Sequence, residues 1–382
     1  MTINFNPNQD FLFASPWRNV YTHSYLKPLA YPPNTVFNIN SSQLTQTVRD
    51  CFSRLDSAIA SHAIIAGCMP FDAMEPASLY LIEQPYFCQR DELLAMMRAS
   101  MPSNSVSNAI MHRQPLMSES VYKMAVTQAV EAIQQQRLSK VVLAQAQVLT
   151  LHHPVNMAKV LTHLLIENPF CYTYSVPVVG EQVFIGASPE LLVRKEGNLI
   201  ECFPLAGTAP RDADPKQDQL NASMLLSSMK NKHEHQLVVE DIVRKVAPLV
   251  TNLTVSESPE LVCTSKVWHL GSKVKAVVAD DYSVLDFVAL FHPTPALCGT
   301  PREEAAAFIQ VAEPFSRHYF SGAVGWCDAQ GNGEWAVAIR CALIKEHQAI
   351  IYAGAGIVSE SDPEEEWVET MNKQKVIIDS II

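Results

Sequence analysis

Strand-like segments joined by short turns constrain the fold of this chain more than any other feature of the sequence. The segment "LLVRKEGNLIECF" (191–203) alternates around the turn EGN, which is typical of a β-hairpin. Late in the chain, the strand-like segments 319–327, 334–345 and 349–358 are separated by the turns "DAQGNG" and "EHQ". Turns this short join antiparallel strands, so the sequence predicts largely antiparallel sheets rather than a regular βαβ repeat.

Helical segments separate the groups of strands. "SVYKMAVTQAVEAIQQQRL" (120–138) has helical periodicity, and the strand-like "KVVLAQAQVLTL" (140–151) follows it directly. A loop is predicted at 101–120, where Ser, Asn and Pro are frequent and no period is found. The class predicted from these patterns is therefore α+β. Further strands are predicted at 170–178 and 182–187, and further helices at 46–66, 91–99, 219–250 and from Pro363 onward.

Length, charge and cysteine usage exclude several classes of protein. The 382 residues suit two domains or one large domain, and the net charge of −11 without a basic tract argues against nucleic-acid binding. No run of 18 apolar residues exists, and the first residues lack the pattern of a signal peptide. The nine cysteines are scattered singly, as reduced thiols usually are. We expect a cytoplasmic protein that does not contact a membrane.

Three charged residues stand in apolar context. Arg340 interrupts "VAIRCALI", and a buried guanidinium needs an anion, either an internal carboxylate or a ligand. Lys140 begins an apolar strand, where burial penalises the charged form, and such a lysine can act as a general base. Glu190 precedes "LLV", and a buried carboxyl with a raised pKa can act as a general acid. The alternatives are a strand-end lysine that reaches solvent and a strand-start cap.

Carboxylates at helical spacing suggest a cation site. Glu366 and Glu369 are three residues apart on one predicted helical face, and Lys373 lies four residues beyond Glu369. Glu234, in "KHEHQ", lies on a different face from its flanking histidines. Oxygen ligands are those that Mg²⁺ prefers, but the same residues also suit an acidic surface helix. In "YAGAGIVSES" the third glycine of a dinucleotide fingerprint is missing, which leaves a small-anion turn or a plain strand-end turn.

Nine segments in order resemble the chorismate-utilising enzymes, and most closely the isochorismate synthases of catechol siderophore pathways. The likeness is dense over 119–382 and loose over 1–118. It implies one large domain over 1–382, with residues 119–382 as the catalytic core and a deep cleft between layered, mostly antiparallel sheets flanked by helices. The segments are "SKVVLA", "GASPELLV", "CFPLAGTAPR", "HEHQLV", "VWHL", "HPTPALCGTPREEA", "SGAVGWCD", "EWAVAIRC" and "AGAGIVSESDPEEEWVETMNK".

The resemblance also implies roles for individual residues. Lys140 matches the general base that activates water, and Glu190 matches the general acid that protonates the departing C4 hydroxyl. Mg²⁺ is the implied cofactor, and its matching ligands are Glu234, Glu366 and Glu369. Arg340 then receives a carboxylate of chorismate, most directly that of the enolpyruvyl arm. The matching substrate contacts are Gly207, Thr208, His292, Ala296, Phe320, Arg340, Ala355, Gly356 and Lys373.

Departures from the family pattern and rival members refine these expectations. Relatives often carry Asp or Glu at the position of Asn231, which puts metal affinity in question. Ammonia-using relatives tend to have Gln at the position of Lys140, and a neutral amide cannot deprotonate water. Salicylate-forming relatives tend to have Thr and Tyr where this chain has Ala296 and Phe320, so release of isochorismate is expected.

Three alternative functions remain open. A salicylate synthase, an enzyme of menaquinone biosynthesis and a non-catalytic binding subunit that kept the fold are the alternatives. We expect a monomer, with a downstream isochorismatase as a candidate partner.

Overall fold

The computed structural model describes residues 5–23, 26–29, 42–101, 107–279 and 281–382. Within them the chain forms 22 strands, ten α-helices and one 3₁₀ turn at Ala247–Leu249. The elements up to residue 151 are β1 (Leu12–Ala14), β2 (Asn19–Tyr21), β3 (Lys27–Pro28), α1 (Ser42–Ser53), α2 (Ser57–Ala60), β4 (Ile64–Met69), β5 (Ser78–Ile82), β6 (Tyr86–Cys88), α3 (Arg90–Ala99), β7 (Ile110–Pro115), α4 (Glu119–Gln134) and β8 (Lys140–Leu151).

The remaining elements carry most of the predicted site residues. They are α5 (Met157–Glu167), β9 (Tyr172–Val178), β10 (Gln182–Ser188), β11 (Leu191–Glu196), β12 (Leu199–Phe203), β13 (Leu205–Pro210), α6 (Pro215–Ser227), α7 (Met229–Val246), β14 (Val250–Val255), β15 (Glu260–Cys263), β16 (Val267–Gly271), β17 (Val274–Val278), α8 (Val284–Phe291), β18 (Gly299–Thr300), α9 (Arg302–Ala312), β19 (Ala323–Asp328), β20 (Gly333–Val337), β21 (Cys341–Lys345), β22 (Gln348–Ile357) and α10 (Pro363–Ile381).

Two large antiparallel sheets form the centre of the molecule. The ten-stranded sheet has the order β18-β8-β22-β21-β10-β9-β1-β2-β6, with β7 also paired to β8. The nine-stranded sheet has the order β14-β17-β12-β11-β20-β19-β4-β5-β3, and β13, β16 and β15 form a small third sheet. Strands from the first hundred residues extend both large sheets, so the N-terminal part is built into the same framework as the rest.

Apolar clusters show how the layers stack. One cluster lies between the two large sheets and includes Phe13, Phe184 and Trp326. A second packs α1 and α8 on the outer face of the nine-stranded sheet, and a third packs α3, α5 and α10 on the ten-stranded sheet. Helices therefore flank layered antiparallel sheets, which confirms the predicted fold class. None of the helices in the described part of the chain combines the length and apolarity needed to cross a membrane.

Local structure differs from the sequence prediction at four places. The predicted helix 46–66 is divided into α1 and the short α2, and β4 begins within its last residues. The predicted helix 219–250 is two helices that meet at Ser228, which caps α7. The predicted loop 101–120 contains β7, which pairs with β8; its residues 102–106 lie outside the described residues. The predicted strand 334–345 is also wrong, because the chain leaves β20 in one sheet and enters β21 in the other.

The crossing between the two large sheets places Arg340. Residues 338–340 link β20 to β21, and Arg340 adopts φ = 50°, in the left-handed region that non-glycine residues rarely enter. The Arg340 carbonyl accepts a hydrogen bond of 3.0 Å from the backbone N–H of Ala187. An apolar run of strand length is therefore folded as two strands, and the charged residue lies at the bend between them.

Candidate active site

Most of the predicted site residues line one cavity, which we call the catalytic cavity. Its empty volume is about 540 Å³, including the open mouth. The ten-stranded sheet contributes Val142 on β8 and Gly354 on β22 to the cavity wall, and the small sheet contributes Leu205 on β13. The predicted residues that line it are Glu190, Gly207, Thr208, Glu234, Ala296, Phe320, Arg340, Gly356 and Lys373.

The Arg340 guanidinium is held from one side by a histidine that sequence reasoning left without a role. Arg340 Nη2 donates to His269 Nε2 over 2.8 Å, and His269 Nδ1 lies 3.1 Å from the Gly207 carbonyl. Burial, with the charges of Arg340 and Lys373, holds the pKa of His269 well below its usual range, so the ring is neutral. Its Nδ1–H then donates to Gly207. The only sequence signal for His269 was its place in "VWHL".

Arg340 keeps part of its guanidinium unpaired. The side chain is only 6% exposed, and Nε has no hydrogen-bond partner in the part of the chain that is described. A buried, permanently charged donor without a partner is costly unless a ligand supplies the acceptor. His269 is neutral and cannot balance the charge. The charge of Glu369 favours the ionised guanidinium but leaves Nε without an acceptor among the described residues, so the geometry favours an external anion at Nε.

Lys140 does not line the catalytic cavity, but it is fully buried and contacts Glu234, which does. It begins β8, where it pairs with Thr300, and its Nζ is 3.0 Å from Glu234 Oε1. The other oxygen, Glu234 Oε2, accepts a 3.1 Å hydrogen bond from the backbone N–H of Gly207. Burial opposes the ionised form of Glu234, but the charges of Lys140, Lys373 and Lys230 outweigh it and keep its pKa below the usual value.

Glycine is required where Gly356 passes this ion pair. A Cβ at Gly356 would lie 2.0 Å from Glu234 Oε1 and 2.8 Å from Lys140 Cε. No side chain fits between β22 and the two charged groups without displacing them. The glycine-rich "YAGAGIVSES" therefore allows Lys140 and Glu234 to pack closely against the backbone. It is not a nucleotide-binding loop between a strand and a helix, because its glycines lie within β22, which continues to Ile357.

Glu190 provides a carboxyl whose pKa is shifted in the opposite direction from that of Glu234. It lies just before β11 and is 3% exposed, with Oε1 accepting a long 3.4 Å hydrogen bond from the Leu205 backbone N–H. Burial raises the pKa of Glu190 to about 7, against the opposing effects of that hydrogen bond and of the nearby positive charges. The group therefore holds a proton in a large fraction of molecules at neutral pH, as a general acid must.

The other carboxylates face a second opening, which we call the carboxylate cavity. Glu366, Glu369, Lys230 and Asn231 line it, and Thr208 is shared with the catalytic cavity. Lys230 Nζ lies 2.7 Å from Glu366 Oε1.

Glu369, the other cavity-lining glutamate introduced from α10, also pairs with a lysine. Lys373 Nζ lies 2.5 Å from Glu369 Oε1 and 2.9 Å from the Gly354 carbonyl. Burial and the charge of Glu369 raise the pKa of Glu366 to about 7, although Lys230 opposes this. Within the described residues, no three acidic, histidine or cysteine side chains converge closely enough to hold a metal ion by themselves.

Two predicted contacts do not line the catalytic cavity. His292 is buried, with Nε2 3.1 Å from the Pro70 carbonyl, and burial lowers its pKa to about 4. Ala355 lies within β22 opposite Leu143 and is also buried.

Asn231 accepts a 3.3 Å hydrogen bond from Thr208 N–H and donates to Ser228 Oγ. Lys230, which sequence reasoning missed, had no signal beyond standing four residues before Glu234.

The fold and this site define an acid–base enzyme. Antiparallel sheets bring together a carboxyl with a raised pKa, a buried lysine and a guanidinium whose Nε has no partner among the described residues, around one cleft suited to a small anion. The family described as "Chorismate binding enzyme" matches residues 80–382. The chain belongs to this family.

Individual relatives match almost the whole chain. It is 35% identical over 366 residues to isochorismate synthase EntC of Escherichia coli (strain K12), covering 95% of this chain and 92% of that protein. Among solved structures, the one assigned to the 2,3-dihydroxybenzoate-specific isochorismate synthase DhbC of Bacillus anthracis has a TM-score of 0.89 at 32% identity, covering 99% of this chain and 98% of that chain. MenF, the menaquinone-specific isochorismate synthase of Escherichia coli, has a TM-score of 0.82 at 26% identity, covering 100% and 91%.

Proposed function

We propose that this protein is an isochorismate synthase that converts chorismate to isochorismate. The main support for the proposal is the catalytic cavity, in which burial raises the pKa of Glu190 to about 7 and Arg340 Nε has no hydrogen-bond partner among the described residues. Relatives named as isochorismate synthases match this chain over nearly its whole length, which supports the same reaction here.

The proposed reaction exchanges one hydroxyl position for another. Water attacks C2 of the ring, and Lys140, in its neutral amine form, takes the proton that this water loses. The C4 hydroxyl leaves as water after Glu190 gives it a proton, and the ring double bonds shift between the two carbons. One water enters and one leaves, so the reaction is an isomerisation. Positioned acids and bases of this kind typically contribute ~10²–10⁴-fold each to a rate.

The anion contacts orient the substrate for this exchange. We assign the carboxylate of the enolpyruvyl arm to Arg340, because Arg340 Nε is buried and unpaired among the described residues. Lys373 adds a second positive charge to the same cavity. His269 fixes one edge of the guanidinium, which leaves the other edge for the substrate.

Magnesium is the proposed cofactor, with Glu234, Glu366 and Glu369 as the residues that would hold it. Their chemistry fits, because carboxylate oxygens suit Mg²⁺ and because burial and the charge of Glu369 raise the pKa of Glu366, a cost of ionisation that a bound cation offsets. Each carboxylate is now paired with a lysine, so the ion must exchange places with these ammonium groups. When bound, the metal supplies a positive charge that draws electrons toward the ring carboxylate of the substrate.

Release of isochorismate, rather than onward conversion to salicylate, follows from the apolar part of the catalytic cavity. Salicylate requires loss of the arm as pyruvate, with the C2 hydrogen passing to the arm. Ala296 and Phe320 both line the cavity, and neither can donate a hydrogen bond to hold the arm for that step. Phe320 is instead stacked on Tyr352, with ring centroids 5.4 Å apart.

The direct test incubates the protein with chorismate and Mg²⁺ and measures isochorismate, salicylate and pyruvate over time. Isochorismate should accumulate until it equilibrates with chorismate, while pyruvate stays at the level of an enzyme-free control. Prompt, stoichiometric salicylate and pyruvate from the unmodified protein would establish a salicylate synthase instead. No consumption of chorismate would leave a binding protein with the same fold.

The pathway we propose is catechol siderophore biosynthesis in the cytoplasm, with the protein acting as a monomer and a downstream isochorismatase consuming its product. The 2,3-dihydroxybenzoate-specific relative has higher identity and TM-score than the menaquinone-specific one, which supports this choice. Expression in strains that lack either isochorismate synthase separates the two pathways. Restored siderophore secretion without restored menaquinone is the expected result, and the reverse pattern would contradict it.

A further inference from the structure

Ser321 is a buried polar residue on the wall of the catalytic cavity that the mechanism above does not use. Its exposed fraction is 1%, and it lines the cavity together with Phe320, Ile339 and Arg340. Its hydroxyl has no hydrogen-bond partner among the described residues. Of the side chains lining this cavity, only Ser321 and Arg340 carry a buried, unpaired polar atom in the described structure.

The backbone at Ser321 is held in a conformation that disfavours serine. Its φ is 63°, in the left-handed region, where a residue with a Cβ is strained by about 1–2 kcal/mol relative to glycine. The Ser321 N–H donates to the Ala338 carbonyl over 2.8 Å, and the Ala338 N–H donates to the Gly322 carbonyl over 2.9 Å. This pair of hydrogen bonds fixes the bend and joins it to the segment that carries Arg340.

Two costs therefore meet at one residue. An unpaired buried hydroxyl costs about 1–3 kcal/mol, and glycine would avoid both that cost and the backbone strain. Arg340 shows the same combination, with φ = 50° and an Nε that has no partner in the described structure. Strained residues with unpaired donors on the wall of one cavity are typical of ligand-binding sites.

We propose that the Ser321 hydroxyl donates a hydrogen bond to the same substrate carboxylate that Arg340 receives. The assignment rests on the proposed function and adds a substrate-binding residue to it. Backbone hydrogen bonds tie the segment at Ser321 to Ala338, two residues before Arg340, so the two segments that carry these donors are joined. A carboxylate has four lone-pair positions and accepts from both donors at once.

Ser321→Ala tests the hydroxyl directly. A hydrogen bond to a charged group contributes about 1.5–3 kcal/mol, so KM for chorismate should rise about 10- to 100-fold, while kcat changes little. The melting temperature without substrate should stay the same or rise, because the variant removes an unpaired buried group. A structural role would instead lower the melting temperature. An unchanged KM would overturn the proposal and leave the hydroxyl to an internal water.

Two further variants separate the hydroxyl from the backbone. Ser321→Gly removes the hydroxyl and relieves the strain at φ = 63°, and it should raise KM as much as Ser321→Ala does. A normal KM in the glycine variant would show that conformation, not the hydroxyl, governs binding. Thr173→Val is the matched control, because Thr173 is fully buried, its hydroxyl has no partner within the described part of the chain, and it does not line the catalytic cavity. Its KM should equal that of the wild type.

The wild-type assay distinguishes a failure of the proposed function from a failure of the proposed role of Ser321. If the unmodified protein does not consume chorismate, the proposed function and the role of Ser321 fail together. If it turns chorismate over normally and Ser321→Ala has the wild-type KM, only the role of Ser321 fails.

Discussion

The catalytic cavity and the carboxylate cavity meet at Thr208 but are prepared for opposite charges. In the catalytic cavity, Arg340 and Ser321 keep donors unpaired among the described residues, and burial raises the pKa of Glu190 to about 7. On the carboxylate side, Glu366 and Glu369 each contact a lysine. The first cavity can accept an anion without breaking an internal contact. The second can accept a cation only by exchanging partners, which makes cation binding the more conditional event.

Removal of the metal should have the largest effect. Excess chelator should abolish turnover, and added Mg²⁺ should restore it. Without chorismate, Mg²⁺ should raise the melting temperature little, because lysines already neutralise the carboxylates and the substrate completes the site. Full activity in excess chelator would contradict the assignment of Glu234, Glu366 and Glu369 as metal ligands.

Loss of the base should come next. Lys140→Ala should lower kcat by about 10²–10⁴-fold, the usual contribution of a positioned base, with the fold retained. Lys345→Ala is the matched control, since Lys345 lies on the same sheet but is exposed. A rate near that of the wild type in Lys140→Ala would show that another group accepts the proton. Circular dichroism and melting temperature check that the variant is folded.

Replacing the fork of Arg340 tests the readiness of the catalytic cavity for an anion. Arg340→Lys keeps the charge but loses the planar pair of donors, so KM for chorismate should rise about 10- to 100-fold with a smaller loss of kcat. Steady-state kinetics measures both constants. If KM is unaffected, the contact of Arg340 with His269 is its only function.

The pH dependence of activity should report Glu190. Burial raises its pKa to about 7, so the protonated acid is lost as pH rises through 7, and kcat/KM should fall about tenfold per pH unit well above that value. The same shift makes Glu190 favour folding below its unfolded pKa and lose this contribution as pH rises through about 7. Glu190→Gln should lack this limb of the rate profile; an unchanged profile in that variant would assign the limb to another group.

The smallest effect is expected from the apolar wall of the catalytic cavity. Ala296→Thr combined with Phe320→Tyr adds two hydroxyls where the arm of the substrate is expected, and it should divert a minor fraction of the flux to salicylate and pyruvate. Salicylate fluorescence measures that fraction, with each single variant as a control. No salicylate from the double variant would show that other residues decide the product.

Regular elements were predictable where one local pattern matched one environment. The sequence predicted β8 at 140–151, and the structure has it at Lys140–Leu151. Prediction failed where a continuous pattern changes its surroundings. The apolar run containing Arg340 lies partly in each large sheet, and the long helical run is interrupted at Ser228, whose side chain caps the second helix. Local hydrophobicity records burial, but not which sheet or helix provides it.

The sequence by itself determined the α+β class, the antiparallel hairpins and the charged residues that apolar context makes costly, because these depend on neighbours along the chain. Only the tertiary structure decided how those charges are balanced. It placed Lys140 against Glu234, His269 against Arg340 and Lys230 against Glu366. The two residues of these pairs are 94, 71 and 136 positions apart in the sequence. It also left Arg340 Nε and Ser321 Oγ without partners in the described structure. Whether a buried charge is paired or ready for a ligand depends on distances of about 3 Å between remote segments, which no local pattern encodes.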